Sequence, residues 1–190
     1  MKKRIFLAAV LICCLALAGG GTLAYYTARA TAYNVITTGG LDMTLMETKA
    51  DGSPYPDEIV HVMPGKDVDK VVFVKNTGGV DFYTRIGLTF ILTDENGKTD
   101  TLTMKDITLD FDTQNWTKQG DYYYYNRALC AMGEDGTIDA TEPLFTTVTF
   151  EDRMSNAYQN ATLEIIVDAQ AVQSRNNTDS PLTAAGWDAN

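Results

Sequence analysis

Two segments of this 190-residue chain alternate apolar and polar side chains with a period of two, and few folds accept that pattern. In residues 82–93, Phe82, Ile86, Leu88, Phe90 and Leu92 share one parity, while Tyr83, Arg85, Gly87, Thr89 and Thr93 take the other. In residues 161–173, Leu163, Ile165, Val167, Ala169 and Ala171 alternate against Thr162, Glu164, Asp168 and Gln170. A strand sends successive side chains to opposite faces, so each segment reads as a strand with one buried face and one wet face. A helix would scatter the same residues around its circumference.

Shorter strands fill the space between. Residues 33–46 (YNVITTGGLDMTLM) predict two extended pieces around a bend at Gly39-Gly40, and residues 48–57 (TKADGSPYPD) a loop. Residues 58–63 read as a short strand closed by Pro64-Gly65, and residues 68–74 as another ending in the turn Asn76-Thr77-Gly78-Gly79. Asn96-Gly97 is a strong hairpin signal, with residues 99–104 as the expected partner strand. Residues 105–119 lack a clear period. Residues 122–130 (YYYYNRALC) read as a strand because tyrosine suits a half-buried pleated surface. An acidic loop over 132–142 precedes a strand at 144–151 with Leu144, Val148 and Phe150 inward, and the polar tail after residue 173 is expected to be loosely held. About eight strands and no amphipathic helix predict an all-β chain, an antiparallel β-sandwich of jelly-roll or immunoglobulin-like type.

The first 24 residues stand apart. Lys2, Lys3 and Arg4 precede an uncharged apolar run over residues 5–18, then Gly19-Gly20-Gly21, then Thr22-Leu23-Ala24 with small residues at the first and third positions. This is the layout of an export signal helix cut between Ala24 and Tyr25. The run is shorter than the ~20 residues a spanning helix needs, which favours cleavage over an anchor. Cys13 and Cys14 lie too near the charged start, after Leu11-Ile12, for a lipoprotein signal. The expected organisation is a signal over 1–24, an arm over 25–40, a sandwich over 41–173 and a tail over 174–190. The arm can pair with its own sheet or extend a neighbour's, with Tyr33, Val35 and Ile36 setting the register.

Charge and cysteine content narrow the function. The chain carries 15 basic and 25 acidic residues. The signal removes three basic residues and no acid, so 12 against 25 leave the mature chain at −13. Such a charge repels nucleic acid and anionic lipid headgroups, which excludes nucleic acid as a partner and leaves membrane contact to the signal before cleavage. Cys130 remains as the one cysteine of the mature chain, which excludes an intrachain disulfide. It reads as a small buried hydrophobe, with pairing to another chain as the alternative.

Chemistry-bearing motifs are sparse. His61 is the single histidine and has no HExxH context, so a zinc hydrolase lacks its ligands, and no catalytic residues, metal or cofactor are expected. A Cys130–His61 nucleophile pair has no surrounding motif. Asp94, Glu95 and Asn96, or Glu134, Asp135 and Asp139, offer oxygen atoms for calcium but lack EF-hand spacing, and acidic turns are ordinarily just solvated. Tyr122–Tyr125 with Trp116 nearby reads as core on one face and a contact surface on the other.

Several of these pieces, taken in order, resemble the secreted TasA and camelysin (CalY) group. They are the leader ending GGGTLAYYTARATAYNVITTGGLDMTL, Met63-Pro64-Gly65 leading to VVFVKNTGGVDFYTRI, the tyrosine run, Leu144-Phe145, Ala169-Gln170-Ala171-Val172-Gln173 and Trp187. The mature chain is shorter than the best-known fibre protein of that group and lacks its larger insertions. The resemblance implies processing by a signal peptidase of SipW type and secretion to the cell surface or biofilm extracellular matrix. It also implies self-association into fibres through the freed N-terminal strand, in company with other matrix proteins; with no catalytic motif in the chain, the first reading is a non-enzymatic protein. The alternative is a secreted sandwich that binds polysaccharide or a partner protein; a camelysin-like metalloprotease ranks below both.

Overall fold

The computed structural model describes residues 40–55 and 59–187. Among the described residues ten strands form two antiparallel sheets, an all-β sandwich. They are β1 (Met43–Thr48), β2 (Ile59–His61), β3 (Asp67–Asn76), β4 (Phe82–Thr93), β5 (Ile107–Leu109), β6 (Trp116–Gln119), β7 (Tyr122–Tyr125), β8 (Asp139–Ala140), β9 (Phe145–Phe150) and β10 (Thr162–Gln173). The first sheet runs β1-β3-β9-β5, with β8 beside β9 along the same side of β3; the second runs β2-β10-β4-β7-β6. Three short 3-10 turns, Met104–Asp106, Asn156–Tyr158 and Pro181–Thr183, are the helical elements among the described residues.

The two alternating segments are the long pair at the centre of the second sheet. β4 and β10 pair along their whole length, from Thr162 opposite Thr93 to Gln173 opposite Phe82. Their inward residues Phe82, Ile86, Leu163 and Ile165 have no exposed surface and meet Val72, Val74, Val148 and Phe150 of the first sheet. Burying side chains of this size contributes roughly 1.5–3 kcal/mol each, which is the main force closing the sandwich.

Polar groups hold the joints. Asn76 is fully buried at the end of β3, where its Nδ2 donates to the carbonyls of Val80 (2.9 Å) and Leu129 (3.2 Å) and its Oδ1 accepts from the Gly78 amide. Lys70 is fully buried on the inward side of β3, pairs with Glu47 of β1 and lies over the Tyr55 ring. Asp110 follows β5 and accepts from the Thr146 hydroxyl and from the Thr146 and Thr147 amides, tying β5 to β9. Arg127 makes a two-pronged pair with Asp139 (2.7 and 2.9 Å), and Asp139 also accepts from the Cys130 amide.

The structure corrects or extends five expectations. Residues 99–104 form no strand and do not return along β4, which pairs with β10 along its whole length on one side and with β7 at Arg85–Gly87 on the other. The Asn96-Gly97 turn does form, with Asp94 accepting from the Asn96 and Lys98 amides and the Thr101 hydroxyl, and the chain then crosses to the other sheet as β5. The irregular stretch 105–119 contains two short strands, β5 and β6, too brief to establish a period. The tyrosine strand ends at Tyr125; Leu129 takes the buried position through a bridge to Phe82, so Cys130 faces solvent as an exposed free thiol. A bulge in β3 between Asp69 and Val72 shifts β9 so that Phe145 also points inward, opposite Val72. The tail through Trp187 is packed, not loose, and it covers part of the outer face of β4 that alternation marks as wet.

Leu163→Ala is expected to destabilise the chain by about 2–5 kcal/mol, read from urea unfolding with an unchanged denaturant slope. Acid should act through the aspartates. The Arg127 guanidinium holds Asp139 below its ordinary 3.8, against the cost of its burial. At Asp110 burial pushes upward, but the hydrogen bonds from Thr146 and Thr147 outweigh it and leave the group below 3.8. Both depressed values contribute stability that is complete above the unfolded-state value and is lost as pH falls through the folded one. Stability should therefore drop below about pH 4, and Asp139→Asn should flatten that drop in urea titrations taken between about pH 5 and 2.

Candidate functional site: a strand edge beside a buried arginine

β2 occupies only the start of the outer side of β10, pairing Ile59–His61 with residues 162–164. Just before this pairing the Val62 amide donates to the Ala161 carbonyl (3.0 Å). Antiparallel strands turn alternate residues toward each neighbour, so odd-numbered residues of β10 aim their backbone groups at the β2 side. The same alternation directs the amides and carbonyls of Ile165, Val167, Ala169 and Ala171 along that side, where no described strand pairs with them. A row of this kind is a template for one more strand.

The inward side chains taper along this stretch from Leu163 and Ile165 to Ala169 and Ala171, leaving less bulk at the C-terminal end. There a groove of about 540 Å³ opens between the end of β10 and residues 175–187, with Leu41 at its border. Leu41 follows directly on the arm in sequence.

On the outer face beside the groove lies a buried cation. Arg85 of β4 stands opposite both Gln170 of β10 and Tyr124 of β7 and is 4% exposed. Its Nε and Nη2 donate to Gln170 Oε1 (2.9 and 2.6 Å), and its Nη1 donates to the Tyr124 hydroxyl (3.0 Å). The guanidinium sits 3.8 Å from the Tyr122 ring centre and 4.7 Å from that of Trp187, and Trp187 meets Tyr124 edge-on. Gly87 permits this: a Cβ there would lie 3.0 Å from Tyr122 Cε1, so a larger residue would lift the ring off β4. The tyrosine run thus divides by parity. Tyr123 and Tyr125 face inward, against Phe111 and Trp116, and Tyr122 and Tyr124 face out to Arg85.

The cleavage residues Ala24 and Tyr25, and the assembly-strand residues Tyr33, Val35 and Ile36, lie outside the described residues. His61 is exposed on β2. Of the candidate calcium ligands, Asp94 is occupied by its own turn, Asp135 accepts from the Thr137 amide, and Asp139 is paired with Arg127. Sequence reasoning missed Arg85 and the placing of Trp187. A charged residue between Tyr83 and Gly87 in an otherwise uncharged strand, with an unpartnered tryptophan downstream, was the available signal. No protein-family profile, curated protein or solved structure matches this chain.

Arg85→Lys keeps the charge but loses the planar stack and the fork to Gln170, and is expected to cost about 1–3 kcal/mol in thermal or urea unfolding.

Proposed function

We propose that this chain is a secreted, non-enzymatic structural protein of the cell surface or biofilm matrix that assembles into fibres by donating its N-terminal strand. In this reading residues 1–24 are a signal helix removed by a signal peptidase of SipW type. The sandwich is of jelly-roll or immunoglobulin-like type, and residues 25–40 are the donor arm. The observation that carries it is the outer side of β10 beyond Glu164, bordered by Leu41, which follows the arm in sequence. Cleavage after Ala24 frees an arm rich in β-branched and aromatic residues, and a neighbouring copy offers it a row of backbone donors and acceptors. Main-chain hydrogen bonds supply affinity, and Tyr33, Val35 and Ile36 supply register.

Charge fits the same scheme. Residues 25–39 carry Arg29 and no acid, whereas the acidic residues all lie from Asp42 onward. The arm is therefore attracted to a body that repels other bodies, which disfavours random association. The reading as a polysaccharide-binding module draws less support, since the outward tyrosines are already packed on Arg85 and Trp187. For the metalloprotease reading, no group of His, Cys, Asp and Glu among the described residues could hold a metal ion.

The mature protein is expected to form polymers visible by electron microscopy as concentration rises, and deletion of residues 25–38 to abolish them with the β-sheet circular dichroism retained. Monomers at every concentration would overturn the proposal. Raising ionic strength from about 0.01 to 0.15 M should lower the concentration at which polymers appear, because screening reduces repulsion between anionic bodies.

A further inference from the structure

The segment after β10 does not trail away from the sandwich; it loops back across the outer face and is pinned at several points. The Ser174 amide donates to the Asp81 carbonyl (3.0 Å), and the Tyr83 hydroxyl donates to the Thr178 carbonyl (2.9 Å). Asn177 ties the loop to itself, its Nδ2 donating to the carbonyls of Gln173 and Ala185 and its Oδ1 accepting from the Ala185 amide (2.8 Å). Gly186, at φ +98°, makes the last bend, and a Cβ there would lie 3.4 Å from Val172 Cγ1. That bend delivers Trp187, whose Nε1 donates to the Pro181 carbonyl (2.8 Å) and whose ring closes over Arg85.

We infer that residues 174–187 are a strap that builds one wall of the strand-accepting groove, with Trp187 over Arg85 as its latch, and that this wall grips the arm of a second copy. The inference rests on the strand-donation reading and deepens it. Leu41, Gln170 and Val172 belong to the sandwich side of the groove, while Arg175, Gly186 and Trp187 belong to the strap, so the groove exists only while the strap is down. Backbone pairing along Ile165–Ala171 supplies affinity for any extended chain, with little selectivity; a side-chain pocket is what distinguishes one strand from another. The small Ala171 lines the groove and leaves room at this end for a large side chain, and the arm brings Tyr33, Val35 and Ile36.

The test compares mature wild-type protein with Trp187→Ala, which releases the latch, and Gln173→Trp, an exposed substitution that fills the groove and keeps the backbone carbonyl that Asn177 uses. Two quantities are read: the concentration at which polymers appear by light scattering, and the affinity of monomers for a fluorescein-labelled synthetic peptide of residues 25–38 by anisotropy. Both variants are expected to need about tenfold more protein to polymerise and to bind the peptide about tenfold more weakly. If Trp187→Ala does not fold, Gln173→Trp carries the same two readouts. Should both folded variants polymerise and bind as wild type does, the strap inference is overturned while strand donation stands. Should wild-type protein neither polymerise nor bind the peptide, both fall. Polymerisation that fails only because the chain's own arm fills the edge would appear as peptide binding gained on deleting residues 25–38, and that outcome also overturns capture of a second copy.

Discussion

β4 and β10 are each twelve residues long and pair without interruption. Because side-chain direction repeats every two residues, a slip of one would turn Leu163, Ile165 and their partners out of the core and bring Glu164 and Asp168 into it. The burial of the inner row therefore locks the register of the ladder, and the ladder positions everything else in the second sheet. β7 pairs with β4 at Arg85–Gly87, β2 pairs with the start of β10, and β6 follows β7. The same register sets Arg85 opposite Gln170 on the outer face.

The outer face is where this sandwich departs from a simple inside and outside. A buried guanidinium is costly unless its donors are met and its faces covered. Here Gln170 and Tyr124 accept from it, and Tyr122 and Trp187 cover it with aromatic faces, an arrangement arginine's flat, weakly hydrated cation suits better than lysine's. The result is a second, smaller packed layer on the side of the sheet away from the core. It holds the tail down and shapes the groove at the end of β10, so structural packing and the proposed assembly surface share residues.

A strand that outruns its neighbour is normally blunted by charge, a bulge or a covering loop. Among the described residues no strand pairs with the stretch of β10 beyond Glu164, and Asp168 is its one charged residue. Its neighbour on the far side of the sandwich behaves differently: β5 is short and is tied down by Asp110 to β9. This contrast between the two sheets is the basis for placing assembly at β10.

Much of this was legible in the chain. Period-two alternation identified β4 and β10, and turn chemistry at Asn76–Gly79 and Asn96-Gly97 marked the ends of β3 and β4, because backbone pleat and turn conformation act on neighbours in sequence. The all-strand class follows from such local patterns, and patterns of the same kind are the ground for proposing an export signal and a donor arm. Pairing partners did not follow. That residues 99–104 leave β4, that Phe145 turns inward across a bulge, that Cys130 is exposed and that Trp187 returns to cap Arg85 all depend on contacts between segments far apart along the chain. A local pattern says which face of a strand is apolar. Which neighbour covers that face is settled by competition among all the segments for the same hydrogen-bonding edges and the same apolar area, and that competition takes place only in the folded chain.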